Sequence, residues 1–401
     1  MKIALVSQEY PPDTAKGGIG TQTFMKARGL SLLGHQVYVI SRSNDEERHE
    51  LDEGQVRVIR IPGFESCIYE MTDIVQWITY STLVAAELET LNTKVGLDLI
   101  DFPEWAAEGY VYFLNRRPWK MVPVVIQLHG PLVMFGQVMN WPDMSGSFYK
   151  TGTHMEATCV RLADRVYSSS ACSTGWIRSF YEPGPKDIPT IHLGVDTTLF
   201  VPRQVPENPN PTIIFVGKMV QNKGVQELVE AACRLVKDFP DLRLKMIGSG
   251  DEGVVERLKA LTEIYAAPDL LDFEGYVQKE ALPMELSAAH VFAAPSYYEG
   301  GPGFVYLEAM ACGLPVIGCS GSGVDEIVVS GETGMLVPPG NVDALEEALR
   351  KILSDRTLRE RMGTQAREYV LRNADSHHCI NRLDVFYKSV IEAMAAKKEE
   401  A

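Results

Sequence analysis

Short apolar runs alternate with longer amphipathic ones along this chain, and the alternation starts twice. In the first half, residues 3–7, 36–41, 56–61, 97–101, 122–128 and 165–169 read as strands, with helical patterns at 21–33, 75–91 and 147–162. Strands separated by helices cannot close as tight hairpins. They pair in parallel, with helices on both faces of the sheet. Pro202, Pro206, Pro209 and Pro211 then crowd into one segment that can be neither helix nor central strand. Beyond it the pattern restarts, with strands at 212–216, 243–248, 271–276, 290–294 and 315–319 and helices at 225–237 and 254–262. From residue 341 onward the chain reads as helical, with a break at 373–376. The expected class is α/β: two doubly wound, Rossmann-like parallel-sheet domains facing a cleft. The expected bounds are 1–200 for the first domain, 201–211 for a linker, 212–372 for the second domain and 373–401 for a last helix. A length of 401 residues suits two domains. Ligands of such sheets sit beyond the carboxyl ends of the strands.

The formal net charge of −15 argues against a nucleic-acid surface. The one basic cluster, residues 116–120, reads as a solvated turn. Seven scattered cysteines without a Cys-x-x-Cys pair fit free thiols in a reducing compartment. The chain opens on a strand with no basic-then-apolar leader, and no run of about 20 apolar residues follows. A soluble, cytoplasmic protein is expected, with peripheral membrane contact left open.

The chemistry concentrates in loops after strands. Residues 298–316 read Tyr-Glu-Gly-Gly-Pro-Gly-Phe-Val-Tyr-Leu-Glu-Ala-Met-Ala-Cys-Gly-Leu-Pro-Val. A strand, a glycine-rich loop and a helix start let backbone N–H groups face an anion. Glu299 and Glu308 frame the loop, and carboxylates accept from sugar or ribose hydroxyls. The combination suits a nucleotide-sugar. Gly217 to Gly224 follow the first strand of the second half and carry Lys218 and Lys223, which can converge on one diphosphate. A plain helix-capping loop is the structural alternative. Gly248, Gly250 and Gly253 match Gly-x-Gly-x-x-Gly, with Asp269 and Asp272 downstream, as in a nicotinamide-binding fingerprint. This is the second strand–helix unit of its domain, however, and Asp251 and Glu252 would crowd a pyrophosphate. Gly17 and Gly18 lie at a helix start after the first strand. His129 ends a buried strand, as either a structural residue or a site group. Glu104 and Trp105 end the preceding strand, where they touch an acceptor or belong to rim or core. The segment 131–150, rich in Met, Phe, Trp and Gly, forms either an acceptor wall or core filling.

Residues 298–316 resemble the signature of the family 4 retaining glycosyltransferases, which have the GT-B fold. The family form is Glu-Gly-Phe-Gly, four apolar residues, then Glu-Ala-Met-Ala-Cys-Gly-x-Pro-Val. Its glutamates are eight apart, whereas Glu299 and Glu308 are nine apart, and Gly300 stands where the first is due. Either a one-residue bulge at Gly300 and Gly301 returns Glu299 to the sugar, or that contact is lost. The resemblance covers both halves and implies the remaining roles. Lys218, in a position usually held by Arg, and Lys223 would be catalytic with His129 and Glu299. Gly18, Gly217, Gly248, Tyr276, Val277, Gly300, Gly301, Pro302, Gly303, Phe304, Val305 and Glu308 would bind the donor. Glu308 would open a helix and hold the ribose, and the backbone near Tyr276 and Val277 would hold the base. The last helix would cross back to the first domain. No Asp-x-Asp triplet occurs to hold a divalent ion on the diphosphate.

The expected function is therefore a retaining, metal-independent transfer of a sugar from a nucleoside diphosphate to an acceptor hydroxyl. No cofactor is expected beyond that donor, and the acceptor is an unspecified glycan, lipid-linked or small molecule. A nucleotide-sugar epimerase of the same shape and a non-catalytic nucleotide-sugar binder are the alternatives. Released nucleoside diphosphate would separate transferase from binder, and epimerisation without acceptor would mark the other enzyme.

Overall fold

A computed structural model describes the chain except residues 13, 15–17, 46, 63–73, 118–120, 183, 186, 206–208 and 401 and the side chains of 398–400. Gly17, Pro206 and the end of the 116–120 basic cluster lie outside the described residues. The chain divides into two compact units, one of residues 1–193 with 377–401 and one of residues 194–376.

The first unit runs β1 (Lys2–Val6), α1 (Gly18–Leu32), β2 (Gln36–Arg42), β3 (His49–Glu53), β4 (Val56–Ile61), α2 (Ile74–Val95), β5 (Leu99–Pro103), α3 (Tyr110–Asn115), β6 (Val124–Leu128), α4 (Leu132–Met139), α5 (Ser147–Leu162), β7 (Arg165–Ser168) and α6 (Ala171–Phe180). The sheet order is β3-β4-β2-β1-β5-β6-β7. Successive residues Ile3, Ala4, Leu5 and Val6 are all buried, so both faces of the sheet are covered. All neighbours pair in parallel except the edge strand β3, which is antiparallel to β4. Strand β3 was not expected. It reads His-Glu-Leu-Asp-Glu and lies largely exposed, so no apolar face marks it. Its register rests on the turn at Gly54 and on cross-strand pairs such as Arg57–Asp52 at 2.6 Å.

The second unit runs β8 (Thr212–Val216), α7 (Val225–Leu235), β9 (Arg243–Ile247), α8 (Glu252–Ile264), β10 (Leu271–Gly275), α9 (Leu282–Ser287), β11 (Val291–Ala293), α10 (Phe304–Ala311), β12 (Val316–Cys319), β13 (Gly334–Val337), α11 (Val342–Ser354) and α12 (Arg356–Asn373). Its sheet, β10-β9-β8-β11-β12-β13, is parallel throughout. The unit begins at Gly194, ahead of the expected 201–211 linker, because Val195 and Phe200 are already buried in its core. Val195 also forms a backbone bridge to Asp375.

The last helix, α13 (Ser376–Glu400), belongs from residue 377 onward to the first unit. Cys379, Leu383, Tyr387 and Val390 are buried there. Tyr387 donates its hydroxyl to Asp101, which also takes Lys26 Nζ at 2.7 Å and the Tyr167 hydroxyl at 2.7 Å. Asp384 pairs with His35 Nε2 at 2.9 Å.

Candidate functional site

Strand order reverses at β1/β5 in the first unit and at β8/β11 in the second. Loops leaving such a strand pair diverge to opposite sides of the sheet and leave a crevice at its carboxyl edge. In the second unit those loops are 217–224 after β8 and 294–303 after β11, which are the two segments carrying the lysines and the glycine-rich stretch.

The loops pack backbone to backbone. Gly224 has φ +65°, and a Cβ there would lie 2.1 Å from the carbonyl oxygen of Pro295. Tyr297 N–H donates to the Asn222 carbonyl at 2.9 Å. This approach brings Lys223 Nζ to 2.6 Å from Glu299 Oε1. The inserted glycine therefore leaves the Glu299 carboxylate turned toward the lysine loop. The Glu299 carbonyl accepts Gly323 N–H at 2.8 Å, and Gly323 lies so close to Gly301 that a Cβ would sit 2.4 Å from its carbonyl carbon. Gly300, Gly301, Pro302, Gly303, Phe304 and Val305 are all partly exposed. Lys218, in the loop after β8, is exposed. Gly217 and Gly248 lie back to back: a Cβ on Gly248 would fall 2.0 Å from the Gly217 carbonyl oxygen. Met219 N–H to Ser249 O at 2.8 Å and Gly248 N–H to Gly275 O at 2.7 Å continue the ladder past the strand ends. Gly248 thus closes the floor of the lysine loop. Tyr276 follows Gly275 and is 78 % exposed, beside the partly buried Val277.

Glu308 departs from expectation. The helix begins at Phe304, so Glu308 lies in its second turn, not at its start. The helix starts early because Tyr306 anchors it, with its hydroxyl donating to the Ala294 carbonyl and its ring 5.2 Å from Phe292. The helix dipole acts mainly over the first turn, so it is no reason for a carboxylate at 308. Glu308 is 8 % exposed, and burial pushes its pKa up to about 7 against the pull of Lys279. The first N–H groups of α10, from Phe304 and Val305, have no intrahelical acceptors and are free to face an anion.

In the first unit the segment after β1, residues 104–108 after β5 and His129 after β6 leave the carboxyl edge of the sheet. Gly18 opens α1, directly after the undescribed residues 15–17. His129 is half-buried, and burial with the Lys26 charge holds its imidazole well below the usual histidine range. The ring is therefore neutral near pH 7. Glu104 must be corrected: it is fully buried, and its carboxylate accepts His129 N–H at 2.7 and 2.8 Å and Gly130 N–H at 2.6 Å. A carboxylate spent on these donors and closed to solvent does not meet an acceptor. Trp105 is partly exposed, 5.1 Å from the Phe135 ring and stacked on Trp141 at 6.5 Å and 25°.

Two further buried carboxylates escaped sequence reasoning. Glu156 lies under the start of α4, and Glu108 accepts Gln8 N–H at 3.1 Å where the loops after β1 and β5 meet. A signal for Glu156 was present: Gly152, Met155, Cys159 and Val160 form one apolar stripe of α5, and Glu156 stands within it.

Two family models divide the chain between them. "Glycosyltransferase Family 4" matches residues 16–199 and "Glycosyl transferases group 1" matches residues 198–369. A D-inositol 3-phosphate glycosyltransferase of Kribbella flavida is 31% identical over 394 residues, spanning 92% of this chain and 91% of that protein. The chain is a family 4 glycosyltransferase. Among solved structures, the sucrose-phosphate synthase of Thermosynechococcus elongatus superposes on the glycosyltransferase with TM-score 0.84, at 25% identity and over 98% of this chain and 99% of that one. The Anabaena protein HepE in complex with UDP-glucose superposes with TM-score 0.73, at 18% identity and over 97% of this chain and 100% of that one. The enzyme has the GT-B type of fold and moves a hexose-like sugar from a nucleotide-sugar donor. Among the described residues, no helix is long and apolar enough to cross a membrane.

Proposed function

We propose that the glycosyltransferase moves a hexose from a nucleoside diphosphate to an acceptor hydroxyl with retention of anomeric configuration and without a divalent metal ion. The observation that carries this reading is the meeting of two loops at the β8/β11 crevice, where Lys223 Nζ lies 2.6 Å from Glu299. Lys218, Lys223 and the first N–H groups of α10 neutralise the diphosphate. Glu299 accepts from the sugar's hydroxyls, and Glu308 accepts from the ribose. The base rests against the backbone at Tyr276 and Val277. His129 binds the transferred sugar as a neutral imidazole.

Reaction is by front-face substitution. The bond from the anomeric carbon to the diphosphate oxygen breaks while the acceptor oxygen bonds to the same face. The departing diphosphate oxygen takes the acceptor's proton. The developing charges are an oxocarbenium-like ring and a diphosphate, and preorganised cations and amides stabilise the latter most. UDP-glucose, the ligand of HepE, is the first donor to try. The stacked face of Trp105 and Trp141 supplies a surface for an acceptor ring, so a sugar or polyol acceptor is favoured. The thiols of Cys159, Cys233, Cys312 and Cys319 are free, which supports a cytoplasmic setting.

The test is release of nucleoside diphosphate from UDP-glucose, ADP-glucose and GDP-mannose in the presence of excess chelator, with and without candidate sugars. Turnover in chelator with a retained anomer supports the proposal. Turnover that ceases in chelator and returns with Mg²⁺ or Mn²⁺ overturns its metal-independent part.

A further inference from the structure

Residues 129–132 carry three backbone N–H groups, because Pro131 has none, and all three end on buried carboxylates. Glu104 accepts those of His129 and Gly130. Glu156 Oε2 accepts Leu132 N–H at 2.8 Å and the Tyr181 hydroxyl at 2.6 Å, and its Oε1 accepts Ala106 N–H at 3.3 Å. Both glutamates are 0 % exposed. Two buried anions are a costly way to hold a strand end that ordinary amide–carbonyl bonds could satisfy. What they add is stiffness, since N–H bonds to a carboxylate are shorter and stronger than neutral ones. That stiffness matters at His129. Its Nδ1 is buried and, among the described residues, has no hydrogen-bond partner. The imidazole's direction is therefore set by its own backbone, and the backbone is set by the two carboxylates.

We propose that Glu104, backed by Glu156, is a positioning residue for glycosyl transfer: its ionised carboxylate holds the His129–Gly130 backbone and so aims the imidazole, and its protonation loosens that hold and slows the reaction. This rests on the reading that His129 acts on the transferred sugar. Burial pushes Glu104 up to about 7, with the N–H donors opposing. Burial and the neighbouring Glu104 charge push Glu156 up to about 8. The two titrate as a coupled pair in the range where enzymes are assayed. The other titratable groups around them leave that range to the carboxylates. Tyr181 at the end of α6 and Tyr149 and Cys159 on α5 are all pushed up by burial, and Lys26 on α1 helps hold His129 neutral. An acid limb near pH 7 then belongs to the glutamates and not to the histidine.

The experiment has two arms. In the first, kcat for nucleoside-diphosphate release from the donor turned over fastest among UDP-glucose, ADP-glucose and GDP-mannose is followed across pH. The proteins compared are native, Glu104→Gln, His129→Ala and the double variant. The expected result is an acid limb near pH 7 in the native enzyme that Glu104→Gln abolishes, with kcat lowered on the order of 10- to 100-fold. Affinity for the nucleoside diphosphate stays unchanged, and the double variant is no slower than His129→Ala. A surviving acid limb in Glu104→Gln, or losses that multiply in the double variant, overturns the inference alone. Native kcat in His129→Ala overturns the histidine's role and the inference with it. The second arm needs no variant: the backbone amide resonances of His129 and Gly130 should step together near pH 7. Amides that stay flat through neutrality overturn the inference whatever the kinetics show.

Discussion

At the scale of residues, the proposed donor site rests on an ion pair, Lys223 with Glu299, and on the buried acid Glu308. Lys223 and Glu299 face each other at 2.6 Å, so each holds the other's side chain in place. Glu308 differs: burial pushes it up to about 7, and the Lys279 charge opposes this only in part. Ribose hydroxyls donated to its oxygens favour the ionised form, so nucleotide binding should lower its pKa and release a proton. With that sign, affinity weakens as pH falls below about 7 and levels off above it. Calorimetric titration at pH 7 in two buffers of different protonation heat should count a released fraction of a proton in the native enzyme and none in Glu308→Gln. Equal proton counts in the two would remove Glu308 from the ribose. The sequence drew attention to Glu299, Glu308 and the lysines because loop glycines and charges stand out beside strands. It could not reveal that Glu104 is spent on backbone donors 25 and 26 residues away in sequence. Such partners have no side-chain signature.

At the scale of elements, the legible parts were those with an apolar period. Helix α5 was expected at its observed bounds, and strands β1, β2, β4 and β8 within a residue or two. The polar edge strand β3 and the four-residue β13 carried too little pattern to read. The loop after β8 is built on close approach, which makes a sharp prediction. Gly224→Ala must place a side chain at φ +65° and 2.1 Å from the Pro295 carbonyl oxygen. The backbone conformation alone costs roughly 1–3 kcal/mol, and the clash must also push the two loops apart. Thermal unfolding should move down by several degrees, and nucleoside-diphosphate binding should weaken by more than the stability loss explains. Native affinity in Gly224→Ala would mean that the contact of these loops does not shape the donor site.

At the scale of the whole molecule, the two-unit plan was legible, but its seams were not. The proline cluster drew attention to 201–211, whereas the second unit already starts at Gly194 because Val195 and Phe200 bury themselves in it. The first unit also holds an unusual load of buried acid. Burial pushes Glu104 up to about 7 and Glu108 and Glu156 up to about 8, each above the unfolded carboxyl near 4.3. A folded pKa raised above the unfolded one gives stability that is fully present below about pH 4.3 and lost as pH rises through 7 to 8. The enzyme's heat stability should therefore decline from about pH 4.5 to about pH 8 and level off above that. Glu108 offers the cleanest check, because its Oε2 has no partner among the described residues and a glutamine keeps the acceptor for Gln8 N–H. Scanning calorimetry should find Glu108→Gln close to native at pH 4 and more stable at pH 9, by up to a few kcal/mol. Parallel curves would show that Glu108 stays ionised throughout.

The most direct measurement of the central claim, that the loop after β8 grips the donor's diphosphate, is a binding titration. Native enzyme, Lys218→Ala and Lys223→Ala would each be titrated by calorimetry with UDP, ADP and GDP. Loss of a charge-assisted contact should cost roughly 1.5–3 kcal/mol, or about 10- to 150-fold in affinity, for whichever nucleotide binds. The corresponding nucleosides, which lack the phosphates, should bind native and variant proteins alike. Unchanged diphosphate affinity in both lysine variants would contradict the account and move the phosphate site elsewhere.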